Sequence, residues 1–164
     1  MPEKQTIERA RRDKRQGKSP STQAGEFVRE EIHHVREGKH GARSTRQAIA
    51  IGLSKARRAG VELPAPRRGA SKRTRQQAAR DNAKGRSQAR PSPRRSRATS
   101  KRLKKEGRSA ATHAALSRQA TQSARRRGHA DLSRAARKAA RTKGPGVRRQ
   151  AAKKAARTRA RRAR

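Results

Sequence analysis

Large apolar residues crowd into one short stretch of the chain. Nine of the fifteen Val, Ile, Leu, Met and Phe residues fall between Ser21 and Leu63: Phe27, Val28, Ile32, Val35, Ile49, Ile51, Leu53, Val61 and Leu63. Ala24, Phe27, Val28, Glu31, Ile32 and Val35 recur at i, i+3, i+4, i+7, i+8 and i+11, one helical stripe with a single polar intruder. Ser19 or Ser21 is placed to cap its start with Pro20 in the first turn, and Gly38 to end it in a left-handed conformation. Past Gly38-Lys39-His40-Gly41, Ser44-Thr45-Arg46-Gln47 reads as a capping box. It opens a second helix running through Ala48-Ile49-Ala50-Ile51-Gly52-Leu53 to Ala59, with Gly60-Val61 as its stop. The pattern predicts a helical hairpin over about 22–37 and 45–59, inside a unit spanning 21–63.

The second helix has no clear wet side. Ile49, Leu53 and Ala56 share a face, but Ile51 lies about 200° from Ile49 at 100° per residue. A hairpin of about 40 residues is also small for a lone core without disulfides or metal. One reading pairs two hairpins into a homodimer, with Phe27, Val28, Ile32, Val35, Ile49, Ile51 and Leu53 as core and dimer residues. The other leaves Ile51 half exposed, or packs it on Val61–Leu63.

Outside this stretch oil is scarce and charge abundant. Lys and Arg number 50 against 11 acids, a net charge of +39, and only 28% of residues are hydrophobic by a count that includes many alanines. Low hydropathy with high net charge marks a chain that cannot offset its ordering entropy by burial. The expected fold class is therefore mostly disordered with a small all-α element. Residues 1–20 read as a basic, solvated arm, with Glu8–Arg12 and Arg9–Asp13 at i,i+4. Residues 64–164, beyond the stiff Leu63-Pro64-Ala65-Pro66 boundary, read as a disordered Arg/Lys/Ala-rich tail with nascent helices.

That tail repeats. Residues 113–128 align with 129–144 at nine of 16 positions, each unit opening on His-Ala and closing on Gly128 or Gly144. A looser third copy follows from Val147. One large apolar residue per unit (Leu116, Leu132 or Val147) is too little for a stacked solenoid. Ala, Arg and Lys are good helix formers, so the units are expected to fray in water and become helical once phosphates cancel their repulsion.

The residues Gly25-Glu26-Phe27-Val28, Glu37-Gly38-Lys39 and Gln47-Ala48-Ile49-Ala50-Ile51-Gly52-Leu53-Ser54-Lys55-Ala56-Arg57-Arg58-Ala59-Gly60 resemble the core of a family of small basic bacterial proteins without established function. Some members carry a plasmid-stabilisation label. The resemblance spans about residues 20–65 and implies a bacterial source and a helical hairpin; it supplies no catalytic residue. The tail is similar to histone H1 in composition alone, and Ser92-Pro93-Arg94-Arg95 resembles the turns that histone tails lay in minor grooves.

The chemistry expected is that of a polycation, not of an enzyme. No Walker-type glycine loop or nucleophile elbow is present, and no paired carboxylates outside the hairpin. His33-His34 with Glu30 and Glu37 offers i,i+4 pairs for a divalent cation, but adjacent histidines point about 100° apart on a helix. No metal ligand, cofactor or small-molecule substrate is therefore assigned. Zero Cys fits a reducing cytoplasm. No apolar segment follows Met1-Pro2-Glu3-Lys4-Gln5, so no secretory signal is expected, and the run Ala48–Leu53 is far short of a membrane span.

Phosphate contacts are assigned along the tail. They begin with Arg67, Arg68, Lys72, Arg73 and Arg75, and continue through Arg94, Arg95, Arg97, Lys101, Arg102, Lys104 and Lys105. Arg125, Arg126, Arg127, Arg134, Arg137, Lys138 and Arg141 follow. Arg148, Arg149, Lys153, Lys154, Arg157, Arg159, Arg161, Arg162 and Arg164 complete the set. Each engaged cation steepens the salt dependence by about 0.9 in log K, so ten contacts give a slope of about −9. As a free coil the 101-residue tail would span roughly 55 Å. The expectation is largely sequence-independent binding and condensation of duplex DNA in the bacterial nucleoid. The alternatives are an RNA- or ribosome-associated role, and a partner-binding hairpin of plasmid-maintenance type tethered by the tail. With Phe27 as the one aromatic, stacking on single-stranded bases is disfavoured.

Overall fold

The computed structural model describes residues 2–66, 69–87 and 92–162. These residues form six α-helices, one 3-10 turn and no strand. The helices are α1 (Lys4–Arg15), α2 (Pro20–Arg36), α3 (Thr45–Arg58), α4 (Lys72–Ser87), α5 (Pro93–Lys104) and α6 (His113–Arg162), with the turn Ser109–Ala111 between α5 and α6. The chain divides into two units, Met1–Gln119 and Ala120–Arg164, the division falling inside α6.

Glycine and serine punctuate the first unit. Gly17, Gly38 and Gly60 each take a positive φ one residue past the C-cap of α1, α2 and α3. After α2, the Gly38 amide donates to the Val35 carbonyl at 3.3 Å and the Lys39 amide to the His34 carbonyl at 3.0 Å. That is the paired bonding by which a left-handed glycine closes a helix. At the other ends, the Ser19 hydroxyl accepts from the Thr22 amide and the Ser44 hydroxyl from the Gln47 amide. The Gln47 side chain does reach back, but to the Arg43 amide at 2.8 Å.

Two small cores lie along α2. In one, Ala10 of α1, Ala24 and Phe27 of α2, Ala56 of α3, and Val61 and Leu63 pack together, with Ile7 and Leu53 against them. In the other, Ile32, Val35, Ala42 and Ala48 meet Ala110 and Ala111 of the 3-10 turn, with Val28 and Leu116 at the edge. Phe27 and Val35 are fully buried and Ile32 nearly so, whereas Val28, Ile49, Ile51 and Leu53 are half-buried. Complete burial of Phe27 contributes about 1.5–3 kcal/mol. Helices α2 and α3 approach so closely that a methyl group on Gly52 would lie 2.7 Å from the Val28 Cα.

The expected solvated arm is instead a docked helix. Thr6, Ala10 and Asp13 of α1 are buried. Arg9 Nε reaches Glu26 Oε2 at 2.7 Å, and Lys18 Nζ reaches Asp13 Oδ1 at 2.7 Å. One aliphatic residue, Ile7, suffices because alanine and ion pairs supply the remaining contacts.

The expectation of a mostly disordered chain is overturned. Helix covers most of the residues described beyond Pro64, and the first unit runs past that proline to Gln119. The docking there uses small residues and backbone atoms in place of large side chains. Ala78 and Asp81 of α4 are buried against α3. The Gly41 amide donates to the Leu103 carbonyl, and the Ala42 amide to the Gly107 carbonyl, each at 2.9 Å. A Cβ on Gly41 would fall 1.8 Å from the Glu106 carbonyl oxygen. Thr45 Oγ1 donates to the Ala110 carbonyl at 2.7 Å, and Arg36 Nε to the Ala111 carbonyl at 2.9 Å. A count of Val, Leu, Ile and Phe is blind to all of these contacts. Ala, Arg and Lys also have high helix propensity, which outweighs like-charge pairs costing about 0.2–0.5 kcal/mol each.

Candidate nucleic-acid interface

A surface that tracks phosphates needs exposed cations on a scaffold that spaces them. α5 is such a scaffold. Pro93 occupies its first turn, and none of its residues is buried. Arg94, Arg97, Lys101 and Lys104, at i, i+3, i+7 and i+10, share one face; Arg95 and Arg102 flank it, and Ser96, Thr99, Ser100 and Leu103 lie opposite. The C-terminal end of the helix is held by the Gly41 and Ala42 amides described above. Ser92-Pro93-Arg94-Arg95 is thus the opening of a helix, not an isolated turn.

In α6 the repeats become helical rods. Gly128 (φ 74°, ψ 165°) and Gly144 (φ 66°, ψ 171°) interrupt the helix where the repeat units end, and Pro145 follows the second break. This backbone region is open to glycine alone. Between the breaks, Arg134, Arg137, Lys138 and Arg141 fall at i, i+3, i+4 and i+7, within about 100° of arc. Leu132, Ala135, Ala136 and Ala139 occupy the other side. Asp131 pairs with Arg134 one turn away. The second unit, residues 120–164, carries 17 basic residues against this single acid, a net of +16.

The structure carries the assigned cations on separate elements. Lys72, Arg73 and Arg75 are on α4. Six of the next seven are on α5, with Lys105 at its cap. Arg125, Arg126 and Arg127 end the first rod of α6, and Arg148 through Arg162 lie on the third. All of these are exposed. Arg67, Arg68 and Arg164 lie outside the described residues. Sequence reasoning passed over the exposed Arg11, Arg12, Lys14 and Arg15 at the end of α1 and Arg80, Lys84 and Arg86 on α4. Those on α1 lie outside the tail to which phosphate contacts were assigned; those on α4 lie within it and are equally exposed.

Acids are concentrated elsewhere. Asp81 is 1% exposed and accepts from Ser54 Oγ at 2.7 Å, Arg58 Nε at 2.8 Å and Gln77 Nε2 at 3.0 Å. Burial alone would push its carboxyl up, but those three hydrogen bonds and the Arg58 charge hold it below the ordinary value. On α2, the buried Glu30 and Glu31 face Lys55 of α3 at 3.6 and 2.6 Å. Glu3 meets His34 Nε2 at 2.9 Å and Lys39 Nζ at 3.2 Å; these hydrogen bonds draw its carboxyl below the usual range. His33 keeps its i,i+4 pairing with Glu37 at 3.9 Å, while His34 has turned to Glu3 in place of Glu30. A cleft of about 200 Å³ beside His34 is lined by charged and polar side chains of α1, α2 and the residues flanking them, Glu3, Arg9, Arg29 and Lys39 among them. Apolar walls of the kind that hold small organic ligands are not part of it.

No described helix is long and apolar enough to cross a membrane. No curated protein and no solved structure matches the chain. Residues 3–68, covering α1 to α3 and the segment after them, match the model of a family of unknown function (DUF6496), in keeping with the resemblance to an uncharacterised family.

Proposed function

We propose that this protein is a non-enzymatic binder of nucleic acid that grips the phosphate backbone of duplex DNA without reading its sequence. The observation that carries this reading is the run of exposed cations on ordered helices, culminating in a unit of net charge +16 with one acid. Cations on a preformed helix have already met their ordering cost, so less of the phosphate attraction is spent on folding. The histone-H1-like composition supports the same reading, as does the complete burial of Phe27, which leaves no Phe, Tyr or Trp ring to stack on bases. Such binding would place the protein at the bacterial nucleoid, and two strongly basic units on one chain provide for condensation.

Fluorescence anisotropy of the full-length protein on short duplexes of unrelated sequence, across a salt series, tests the proposal. Affinity is expected to be indifferent to sequence, with log K falling at about −9 per log unit of salt when ten cations engage. Replacing Arg134, Arg137, Lys138 and Arg141 together with Gln should make the slope shallower by about 3.6, at 0.9 per contact. A slope shallower than about −2, equivalent to two contacts, overturns it. So does tighter binding to ribosomal RNA than to duplex DNA at equal salt, which would move the assignment to RNA.

A further inference from the structure

We infer that Glu31, His34 and His40 form a binding site for one divalent transition-metal ion of the zinc class. One ligand atom from each residue lies within 4.8 Å of the others. Glu31 and His34 are i,i+3 on α2 and so project from the same side of it. His40 is carried back over the end of α2 by the reversal at Gly38, and its ring lies edge-on to that of His34, with centroids 5.9 Å apart. A tetrahedral zinc ion bound at 2.0–2.2 Å separates its ligand atoms by roughly 3.5 Å, so side-chain shifts of under about 1 Å close the triangle.

The donors are already oriented as metal ligands are. His40 Nδ1 lies 3.0 Å from the Gly41 carbonyl, which can only accept a hydrogen bond. That fixes the proton on Nδ1. Nε2 then faces Glu31 Oε1 at 2.8 Å, a contact that opens by about 0.7 Å to admit a tetrahedral ion between them. The outer contacts continue the pattern. The other oxygen of Glu31 is held by Lys55 Nζ at 2.6 Å, and His34 Nε2 is held by Glu3. Imidazoles anchored through one nitrogen, with a carboxylate tied down by its second oxygen, characterise ligands positioned by their surroundings.

Burial and charge favour a soft-to-borderline cation. Glu31 is 1% exposed, and the two histidine side chains are 12 and 13% exposed, with the cleft beside His34 as the way in. Four of the chain's eleven acids, Glu3, Glu30, Glu31 and Glu37, gather in this region of a molecule otherwise strongly positive. Two imidazoles with one carboxylate suit zinc better than magnesium or calcium, which favour oxygen ligands. Three protein ligands leave the fourth position to water.

This site is independent of the phosphate surface, and its test does not involve nucleic acid. Full-length protein freed of metal by chelation is titrated with ZnCl2 in a calorimeter, and with CoCl2 while visible absorption is followed. The expected result is one ion per chain, with the d–d bands of tetrahedral cobalt. His40→Ala and, separately, His34→Ala should weaken zinc binding by more than about 100-fold, beyond the 10–100-fold that changes in surrounding residues cost. His33→Ala and His113→Ala should leave it intact. Circular dichroism establishes that each variant is folded; if His40→Ala is not, His34→Ala decides. Zinc binding no tighter than about 0.1 mM (roughly −5.5 kcal/mol) overturns the inference. Unchanged affinity in the folded His34→Ala or His40→Ala protein, or loss of binding in His33→Ala, does so as well.

Discussion

Asp81 sits between α3 and α4 with its two carboxylate oxygens shared among a hydroxyl, a guanidinium and an amide. Replacing it with Asn keeps the shape but removes the charge that Arg58 answers. Hydrogen bonds to a charged group contribute about 1.5–3 kcal/mol, so Asp81→Asn should lower stability by that much at neutral pH in urea titrations. The acid dependence follows from the direction of the shift. The folded carboxyl lies below its unfolded value, so its contribution is full above about pH 4 and fades as pH falls through the lowered folded value. The wild-type advantage over Asp81→Asn should shrink in acid over that same interval. A difference that stays constant down to pH 2 would remove the charge from this account.

Helix packing is governed here by what is small. A methyl group on Gly52 would meet the Val28 Cα at 2.7 Å, so Gly52→Ala forces α2 and α3 apart even though Ala is the better helix former. The expected cost is about 1–3 kcal/mol, read from a lower urea midpoint at unchanged slope. The same rule explains which elements could be anticipated. α2 and α3 announce themselves through 3.6-residue periodicity in Phe, Val, Ile and Leu, and their ends through Ser19, Ser44, Gly38 and Gly60. α1 and α4 dock through Ala10, Ala78, Arg9 and Asp81, residue types equally abundant on solvated helices, so pattern alone cannot separate the two fates. Of the i,i+4 pairs read on α2, His33–Glu37 is present, whereas His34 meets Glu3 in place of Glu30. His40 comes to Glu31 through a loop reversal, which linear spacing does not encode.

Across the whole molecule, acid and base are segregated: eight of eleven acids precede Pro64, and 35 of 50 basic residues follow it. The cations were legible from composition. Their state of order was not legible, because a rule that weighs net charge against hydropathy gives no credit for alanine helices or for docking through carbonyl groups. The consequence is measurable. Far-UV circular dichroism of the free protein should show a dominantly helical spectrum in dilute buffer, and saturating duplex DNA should raise the helical signal little. A coil spectrum that converts to helix only on DNA would restore the disordered tail.

The glycine breaks of α6 give the second unit a gearing. A rod of 15 residues is about 22 Å long, and each residue inserted within it turns every later side chain by about 100°. Arg134 and Arg141 stay in phase only while the count between them holds, whereas residues added at Gly128 or Gly144 leave each rod's phase untouched. Lengthening at the joints is therefore tolerable and lengthening inside a link is not, and the chain can gain or lose whole links without retuning the others.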